Sequence, residues 1–331
     1  MAKIVLGIAT AHTPLLTLNG DQWHNRAAAD MANTRLNMSD GRWLTYPQLL
    51  AEVGPKYESV VTPEVLIGKS QQCEAALDRL ADALQEAAPD VVIIIGDDQS
   101  ELFGPANQPA FAVYHGDEIV MLDKVDEETP QWMRTVRHGY LMDDAHKVPG
   151  APDFALELIE GLMDRHVDVA VSDRVENPEQ AAFGHAYGFI VKRLFRGRPI
   201  PVVPVLLNTY FPPNVPTAAR CFDVGQAIRD VVQASPSDLR VAIVASGGLS
   251  HFVVDEPLDR GVIEAIQTQD AQALRAIPRC ALNSGSSEIL NWVMTAGALH
   301  GTAVQMAEYY PLQRTPAGTG VGAGFVVWRE A

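Results

Sequence analysis

The sequence is short of basic residues and of long apolar runs. Among its 331 residues, 25 lysines and arginines stand against 41 aspartates and glutamates, which gives a formal net charge of −16. Because so acidic a chain repels phosphate groups, we do not expect nucleic acid or an anionic membrane surface as a partner. No apolar run approaches the roughly 20 residues of a membrane span. The first residues also lack the charged and then apolar layout of an export signal, so we expect no export.

Cysteine and tryptophan are scarce as well. The three cysteines, Cys73, Cys221 and Cys280, lie far apart, so they form neither a disulfide framework nor the close pairs of a zinc site. Five tryptophans are too few to indicate a stacking platform for bases. We therefore expect a soluble, reduced, cytoplasmic protein.

Short β-branched runs alternate with segments of helical periodicity, which predicts an α/β fold with a central sheet covered by helices. Most of the predicted strands are apolar on both faces, as in sheets that helices cover on both sides. The predicted strands are Ile4–Ile8, Val91–Ile95, Val167–Val171, Val202–Leu207, Val241–Val244 and Phe325–Trp328. The predicted helices are Gln71–Gln85, Asp153–Met163, Val224–Ala234, Leu258–Ile266, Ala271–Ile277 and Ser287–Ala298.

Residues 19–66 interrupt this alternation. The segment carries Trp23, His24, Trp43 and many polar residues but few apolar repeats. We expect an insertion with short helices that serves as a lid or an oligomer contact. Because no linker or low-complexity tract divides the chain, we expect a single catalytic domain over 1–331.

Polar residues gather after several predicted strands, where α/β sheets place their chemistry. His12 follows the first strand, and Asp97-Asp98-Gln99 follows the second. Ser246-Gly247-Gly248-Leu249-Ser250-His251 follows the strand near 242, and His185 precedes an apolar run that it could open as a helix. Each group also has an ordinary structural explanation, such as a helix cap or a tight turn.

Together these groups predict a metal-dependent enzyme. One histidine and one carboxylate would bind the metal, and a second histidine would remain free to move protons. Two histidines and a carboxylate are typical of non-haem Fe(II) sites that activate oxygen. The sequence has neither the Gly-x-Ser-x-Gly elbow of α/β hydrolases nor a complete phosphate-binding loop.

The order of these segments resembles the class III extradiol dioxygenases, the family of the protocatechuate 4,5-dioxygenase catalytic subunit. Within it, the sequence is most similar to 3-O-methylgallate and gallate dioxygenases. Each segment alone is a weak motif, but they follow one another along nearly the whole chain. They are Ile4–Ile8 leading to His12, Val92–Gln99, Gly184–Phe189, Pro204–Asn208 with Arg220-Cys221, Ser246–Glu256, Ser284–Trp292 and Tyr309–Trp328.

The resemblance implies a mixed sheet and an Fe(II) site. It assigns His12 and Glu256 as iron ligands and His185 as the catalytic histidine. Gln99 stands where the family has its second iron-binding histidine, and an amide oxygen is a weaker donor than imidazole for Fe(II). The third ligand therefore stays open between Gln99, Asp98 and His24.

The implied reaction is extradiol cleavage of a catechol- or gallate-type ring by O2. We expect His251 in the catalytic site as an orienting group, and His115 and Tyr187 as contacts to the substrate. A homodimer is expected from base rates alone. Two alternatives remain: a metal-dependent hydrolase on the same fold, and a non-catalytic homologue in which Gln99 marks a lost site.

Overall fold

The structure is a computed structural model that describes residues 1–329. A nine-stranded mixed sheet forms its centre. Two further sheets have two strands each. In chain order the strands are β1 (Lys3–Thr10), β2 (Leu36–Asn37), β3 (Trp43–Leu44), β4 (Val91–Asp97), β5 (Phe111–Tyr114), β6 (Glu118–Val120), β7 (Lys147–Pro149), β8 (Ala170–Ser172), β9 (Val202–Leu207), β10 (Arg240–Ser246), β11 (His251–Val253), β12 (Val304–Gln313) and β13 (Thr319–Trp328).

The middle of the large sheet is parallel and its flanks are antiparallel. The strands run in the order β11-β13-β1-β10-β4-β9-β5-β8, and β12 pairs with β13. Strands β1, β10, β4 and β9 are parallel neighbours, whereas β13 is antiparallel to β1 and β5 is antiparallel to β9. Since parallel strands end at the same edge of a sheet, the residues that follow these four strands meet there.

Helices cover both faces of this sheet. The helices are α1 (His24–Met31), α2 (Tyr46–Val53), α3 (Pro63–Ala87), α4 (Gln131–Gly139), α5 (Pro152–Met163), α6 (His185–Leu194), α7 (Ala218–Ala234), α8 (Glu256–Gln267), α9 (Ala271–Arg275) and α10 (Ile289–Ala298). Along β4, Val92 and Ile94 face one apolar cluster with α3 and α6, while Ile93 and Ile95 face another with α5, α7 and α10. Among the described residues, no helix combines the length and the apolar character needed to cross a bilayer. The predicted α/β fold with a central mixed sheet covered by helices is confirmed.

The segment 19–66 contains the short helices α1 and α2, and between them the β2–β3 hairpin. It is held against the sheet by buried polar contacts. The indole Nε1 of Trp23 donates to the Leu15 carbonyl oxygen at 3.0 Å. Asp30 on α1 pairs with the buried Arg314 at 2.7 and 3.1 Å and accepts a hydrogen bond from Thr319 Oγ1 at 2.8 Å. These contacts place α1 beside the edge where the parallel strands end.

Candidate active site

A cavity of about 270 Å³ lies at the edge where β1, β4, β9 and β10 end. Each of these strands supplies a wall residue from the loop that follows it. His12 follows β1, Gln99 follows β4, Tyr210 follows β9 and Gly248 follows β10. The other lining residues are Thr13, Pro14, Arg26, Glu101, Lys124, Arg137, Tyr140, His185, His251, Phe252, Glu288, Arg314, Gly320 and Val321.

His12 and Glu288 form a close histidine–carboxylate pair in the cavity wall. The Nε2 atom of His12 lies 3.2 Å from Glu288 Oε2, and both side chains are buried. On its other side, Nδ1 of His12 lies 3.0 Å from Ser246 Oγ, whose hydroxyl donates to the Ala186 carbonyl oxygen. Because Ser246 fixes the ring through Nδ1, the Nε2 atom is turned towards the carboxylate.

Glu288 ends a 3₁₀ turn, Ser284–Glu288, that runs directly into α10. Its Oε2 accepts the backbone N–H of Gly248 at 2.7 Å, and its Oε1 accepts the Tyr210 hydroxyl at 2.9 Å. Burial alone would raise the pKa of Glu288, but His251 and His12 outweigh it and hold the pKa well below its usual range. A buried carboxylate therefore stays ionised at the centre of the cluster.

His185 is the first residue of α6, and Glu101 holds its ring. Glu101 Oε1 lies 2.9 Å from His185 Nδ1 and 3.5 Å from Lys124 Nζ. Burial lowers the pKa of His185, but the nearby Glu101 carboxylate reverses this and raises it to about 9. Burial likewise raises the pKa of Glu101, and His185 with Lys124 brings it down to about 2. The pair leaves Nε2 of His185 available to hold or transfer a proton at the cavity wall.

Close packing at Gly184 preserves this pair. A Cβ atom on Gly184 would lie 1.6 Å from Glu101 Oε2, so only glycine allows the carboxylate to reach the start of α6.

Gln99 lies between the two histidine–carboxylate pairs. Its amide Nε2 donates to Asp97 Oδ2 at 3.0 Å and to Glu288 Oε1 at 3.2 Å, and it lies 3.3 Å from His185 Nε2. Asp97, at the end of β4, also accepts from the Asn291 amide at 3.2 Å. Burial and the neighbouring Glu288 raise the pKa of Asp97.

The donor atoms in this cluster suit a divalent transition metal. Imidazole nitrogen together with carboxylate oxygen is the ligand chemistry of non-haem iron and related ions. One donor atom each from His12, Asp97 and His185 lies within 4.8 Å of the others. Glu288 adds an ionised carboxylate 3.2 Å from the first of these. The residues present therefore fit a metal-binding role.

Four of the residues singled out in the sequence meet at this cavity: His12, Gln99, His185 and His251. The Nδ1 of His251 donates to the Leu249 carbonyl oxygen at 2.9 Å, and its Nε2 lies 3.2 Å from Glu288 Oε1. Burial would lower the pKa of His251, but Glu288 raises it overall. Its position supports an orienting role towards the Glu288 carboxylate.

Glu256 does not reach the cavity, contrary to the ligand set expected from the sequence. It is the first residue of α8, its side chain is 33% exposed, and it pairs with Arg260 one turn later at 3.1 Å. The buried residues of α8 are Asp259, Val262, Ile263, Ala265 and Ile266, and Glu256 is not among them. The carboxylate beside His12 is that of Glu288, which lies further along the chain, after α8 and α9.

The two other candidates for a third ligand are used elsewhere. Asp98 accepts the backbone N–H groups of Glu101, Leu102 and Phe103 at 2.9–3.0 Å, so it shapes the loop after β4. His24 is exposed, and its Nδ1 bonds to the Asp21 carbonyl oxygen at 2.7 Å.

The two expected substrate contacts also lie outside the cavity lining. The hydroxyl of Tyr187 donates to the carbonyl oxygens of Gly96 on β4 and Val205 on β9. Tyr187 therefore packs α6 against the sheet. His115 follows β5, and its backbone N–H donates to the carbonyl oxygen of Ser172, the last residue of β8. Strand β9 lies between β5 and β4 in the sheet, so His115 lies away from the cluster.

The sequence analysis assigned no role in the site to several lining residues, chiefly Glu288, Glu101 and Tyr210. Glu288 had a usable signal, since it is a single acid between a Ser/Gly turn and the mainly apolar start of α10. A charge so placed is either a cap or a buried functional group. Glu101 follows the Asp97-Asp98-Gln99 segment by two residues. Its partner His185 is 84 residues away, so nothing local in the sequence indicated the pair.

Residues 47–325 match the family described as the catalytic LigB subunit of aromatic ring-opening dioxygenase. The chain belongs to this family. The matched range includes Gln99, Glu101, His185, His251 and Glu288, and it begins after His12 and α1. The resemblance stated from the sequence motifs is thereby confirmed.

Curated relatives carry related names. The chain is 26% identical over 171 residues to the 2,3-dihydroxyphenylpropionate/2,3-dihydroxicinnamic acid 1,2-dioxygenase of Comamonas testosteroni, covering 51% of this chain and 45% of that protein. It is 31% identical over 134 residues to the gallate dioxygenase of Pseudomonas putida, covering 37% and 38%. A relative of the first type from Cupriavidus necator is 36% identical over 107 residues, 32% of each chain. The chain thus spans less than half the length of the curated relatives it matches.

Proposed function

We propose that this protein is an Fe(II)-dependent extradiol dioxygenase that uses O2 to cleave a catechol- or gallate-type ring. The observation that carries the proposal is the pairing of His12 Nε2 with Glu288 Oε2 at 3.2 Å, beside a second histidine that Glu101 holds. Family membership and the names of the relatives support it.

His12, Glu288 and Gln99 are the residues that would hold the iron. The side-chain nitrogen and oxygen of an amide exchange places when the group is turned over, so Gln99 can present its oxygen where it now presents nitrogen to Glu288. When bound, Fe(II) supplies a positive charge that favours ionised ring hydroxyls and the electron transfer that O2 needs for reaction. Glu288 balances part of that charge and is itself fixed by Gly248 and Tyr210.

His185 is the proposed proton carrier. Its Nδ1 is committed to Glu101, so Nε2 is the ring atom that holds a proton or exchanges it with the substrate. Tyr140 packs against this ring with centroids 5.5 Å apart and donates its hydroxyl to the His12 carbonyl oxygen at 2.6 Å. It thus fixes the spacing of the metal-binding and proton-transferring histidines.

The test is oxygen uptake by protein purified without oxygen and supplied with Fe(II), on a panel of catechols and gallates. We expect metal-dependent uptake with one O2 consumed per ring opened. Gln99→Ala should weaken Fe(II) binding in a competition with a chelator, and Gln99→His should restore it.

Other results would overturn the proposal in distinct ways. Metal-dependent turnover without oxygen consumption would identify a hydrolase. Failure to bind any divalent metal or to consume oxygen with any ring would identify a non-catalytic homologue. A homodimer in the cytoplasm stays a prediction from the sequence, to be checked by sedimentation and fractionation.

A further inference from the structure

Four cationic side chains line the cavity: Arg26, Lys124, Arg137 and Arg314. Two of them are neutralised by carboxylates. Arg314 forms two hydrogen bonds with Asp30, at 2.7 and 3.1 Å, and Lys124 lies 3.5 Å from Glu101. These two cations therefore complete internal ion pairs of the protein.

Arg26 and Arg137 have no such partner in the described part of the chain. The Nε atom of each is buried and lacks a hydrogen-bond acceptor among these residues. Among residues 1–329, no carboxylate lies within 4.0 Å of either guanidinium group. Both oxygens of Asp30, the nearest acid on α1, are already taken by Arg314 and Thr319.

Burial of guanidinium nitrogen atoms without acceptors costs free energy. An arginine cannot shed its proton, and a buried polar group without a partner loses its hydration without compensation. Burial and the charge of Arg314 lower the pKa of Arg26, although Asp30 raises it in part. An anion entering the cavity would relieve this cost, and the planar guanidinium fork matches a carboxylate with two parallel hydrogen bonds.

Tyr140 connects the two parts of the cavity. It packs against His185, and its hydroxyl is close enough to Arg26 and Arg137 for their charges to act on it. A cavity of about 150 Å³ accommodates benzene, so 270 Å³ accommodates a ring with substituents. One molecule can therefore place its ring oxygens at the His12–Glu288 pair and an acidic substituent at the arginines.

We infer that Arg26 and Arg137 form an anion subsite that binds the ionised acid group of an aromatic substrate. The inference rests on the proposed function for the position of the ring. Arg26 belongs to α1, which precedes the range that matches the family. The subsite is therefore built partly from the inserted segment of this chain.

The first test compares an aromatic acid with its uncharged ester, using metal-free protein so that binding is separated from ring cleavage. The probes are 3,4-dihydroxybenzoate and its methyl ester, measured by titration calorimetry. We expect the acid to bind at least about tenfold more tightly than the ester, a factor within the range of one charge-assisted pair. Equal affinities would overturn the inference without any variant.

The second test uses Arg26→Gln and Arg137→Gln, with Arg134→Gln as the matched control. Arg134 lies on α4, the helix that carries Arg137, but it donates to the Thr129 carbonyl oxygen and does not line the cavity. Each of the first two variants should weaken binding of the acid about tenfold and leave the ester within twofold, whereas the control leaves both unchanged. In turnover, KM for the acid should rise while kcat is retained.

Equal losses for acid and ester would show a structural role and overturn the inference. A clear preference for the acid with no oxygen consumption would retain the subsite and overturn the dioxygenase proposal instead. Oxygen-dependent cleavage of both probes with equal KM would retain the dioxygenase proposal and overturn the subsite.

Discussion

At the scale of single residues, the cluster depends on which carboxylate stands beside His12. The sequence interpretation chose Glu256 because it follows the Gly-Gly loop closely along the chain. In the structure the carboxylate is that of Glu288. Glu256 on α8 pairs with Arg260, whereas the turn before α10 places Glu288 where it accepts the backbone N–H of Gly248. Proximity along the chain could not reveal a contact made by a returning helix.

Glu288→Gln and Glu256→Gln form a matched pair that separates these two assignments. Loss of the buried charge beside His12 should weaken binding of Fe(II), or of Co(II) as a stable substitute, by more than the about 10–100-fold typical of an outer-shell change. The Glu256 variant should bind as wild type does. Affinities come from competition with a coloured chelator, and equal losses in the two variants would contradict the assignment of Glu288.

His12, Gln99 and His185 were recognisable in the sequence because each follows a strand or opens a helix in an otherwise apolar context. The partners that orient them were not. Glu101 and Ser246 act across 84 and 234 residues, respectively, and such distances carry no periodic signal. Residue types thus predicted the chemistry, while the second layer of contacts required the fold.

At the scale of elements, the central strands were predictable and the edge strands were not. Runs such as those of β4 and β9 are buried throughout, so they read as continuous apolar segments. Strand β12 is half-buried, carries Glu308 and Pro311, and pairs with β13 alone, so its sequence resembles a loop. The predicted strand Val167–Val171 corresponds to β8, which begins later and covers Ala170–Ser172 at the far edge of the sheet.

Helix α1 is attached to the sheet by the ion pair of Asp30 and Arg314. Asp30→Ala would leave a buried guanidinium unpaired, which costs about 3–5 kcal/mol when one partner of a buried pair is lost. Asp40→Ala, which removes an exposed partner of Arg42, should leave the urea midpoint unchanged. Similar unfolding midpoints for the two variants would show that the pair does not hold α1 in place.

Helix α8 is tied to β12 and to the loop after β10 through Asp259, which accepts hydrogen bonds from Ser250 and Tyr309 at 2.7 Å. Burial raises the pKa of Asp259 to about 6, from an ordinary value of 3.8. A raised pKa means that its contribution to stability is complete below about pH 4 and is lost as pH rises through 6.

The stability of wild type relative to Asp259→Asn should therefore fall between pH 4 and pH 6 and level off above that range. Urea unfolding at intervals across this range measures the difference. Parallel stability curves for the two proteins would contradict the raised pKa.

At the scale of the whole molecule, one face of the sheet depends on very close packing between α7 and α10. A Cβ on Gly297 of α10 would lie 2.3 Å from the Phe222 carbonyl oxygen, and one on Gly225 of α7 would lie 1.9 Å from that of Met294. The two helices approach so closely that their backbones touch. This contact supports α10, whose N-terminal end delivers Glu288 to the cavity.

Gly297→Ala should cost about 1–3 kcal/mol, because overpacking forces the helices apart. Gly68→Ala is the matched control, since a Cβ there on helix α3 would meet nothing within 4 Å. It should instead stabilise the protein by about 0.5–1 kcal/mol, the helix preference of alanine over glycine. Melting temperatures should move in opposite directions, and a shared direction would contradict the packing argument.

The attachment of α1 has a consequence for which parts of this protein can be exchanged separately. The groups proposed to bind metal and move protons stand on the sheet edge and on α6 and α10, whereas Arg26 stands on a short helix fastened mainly by Asp30. Exchange of residues 24–31 for another sequence that keeps Asp30 would alter the charge at the proposed anion subsite and leave the proposed metal-binding and proton-transferring groups in place. The proposed substrate contact and the proposed reacting groups can therefore be varied independently within one chain.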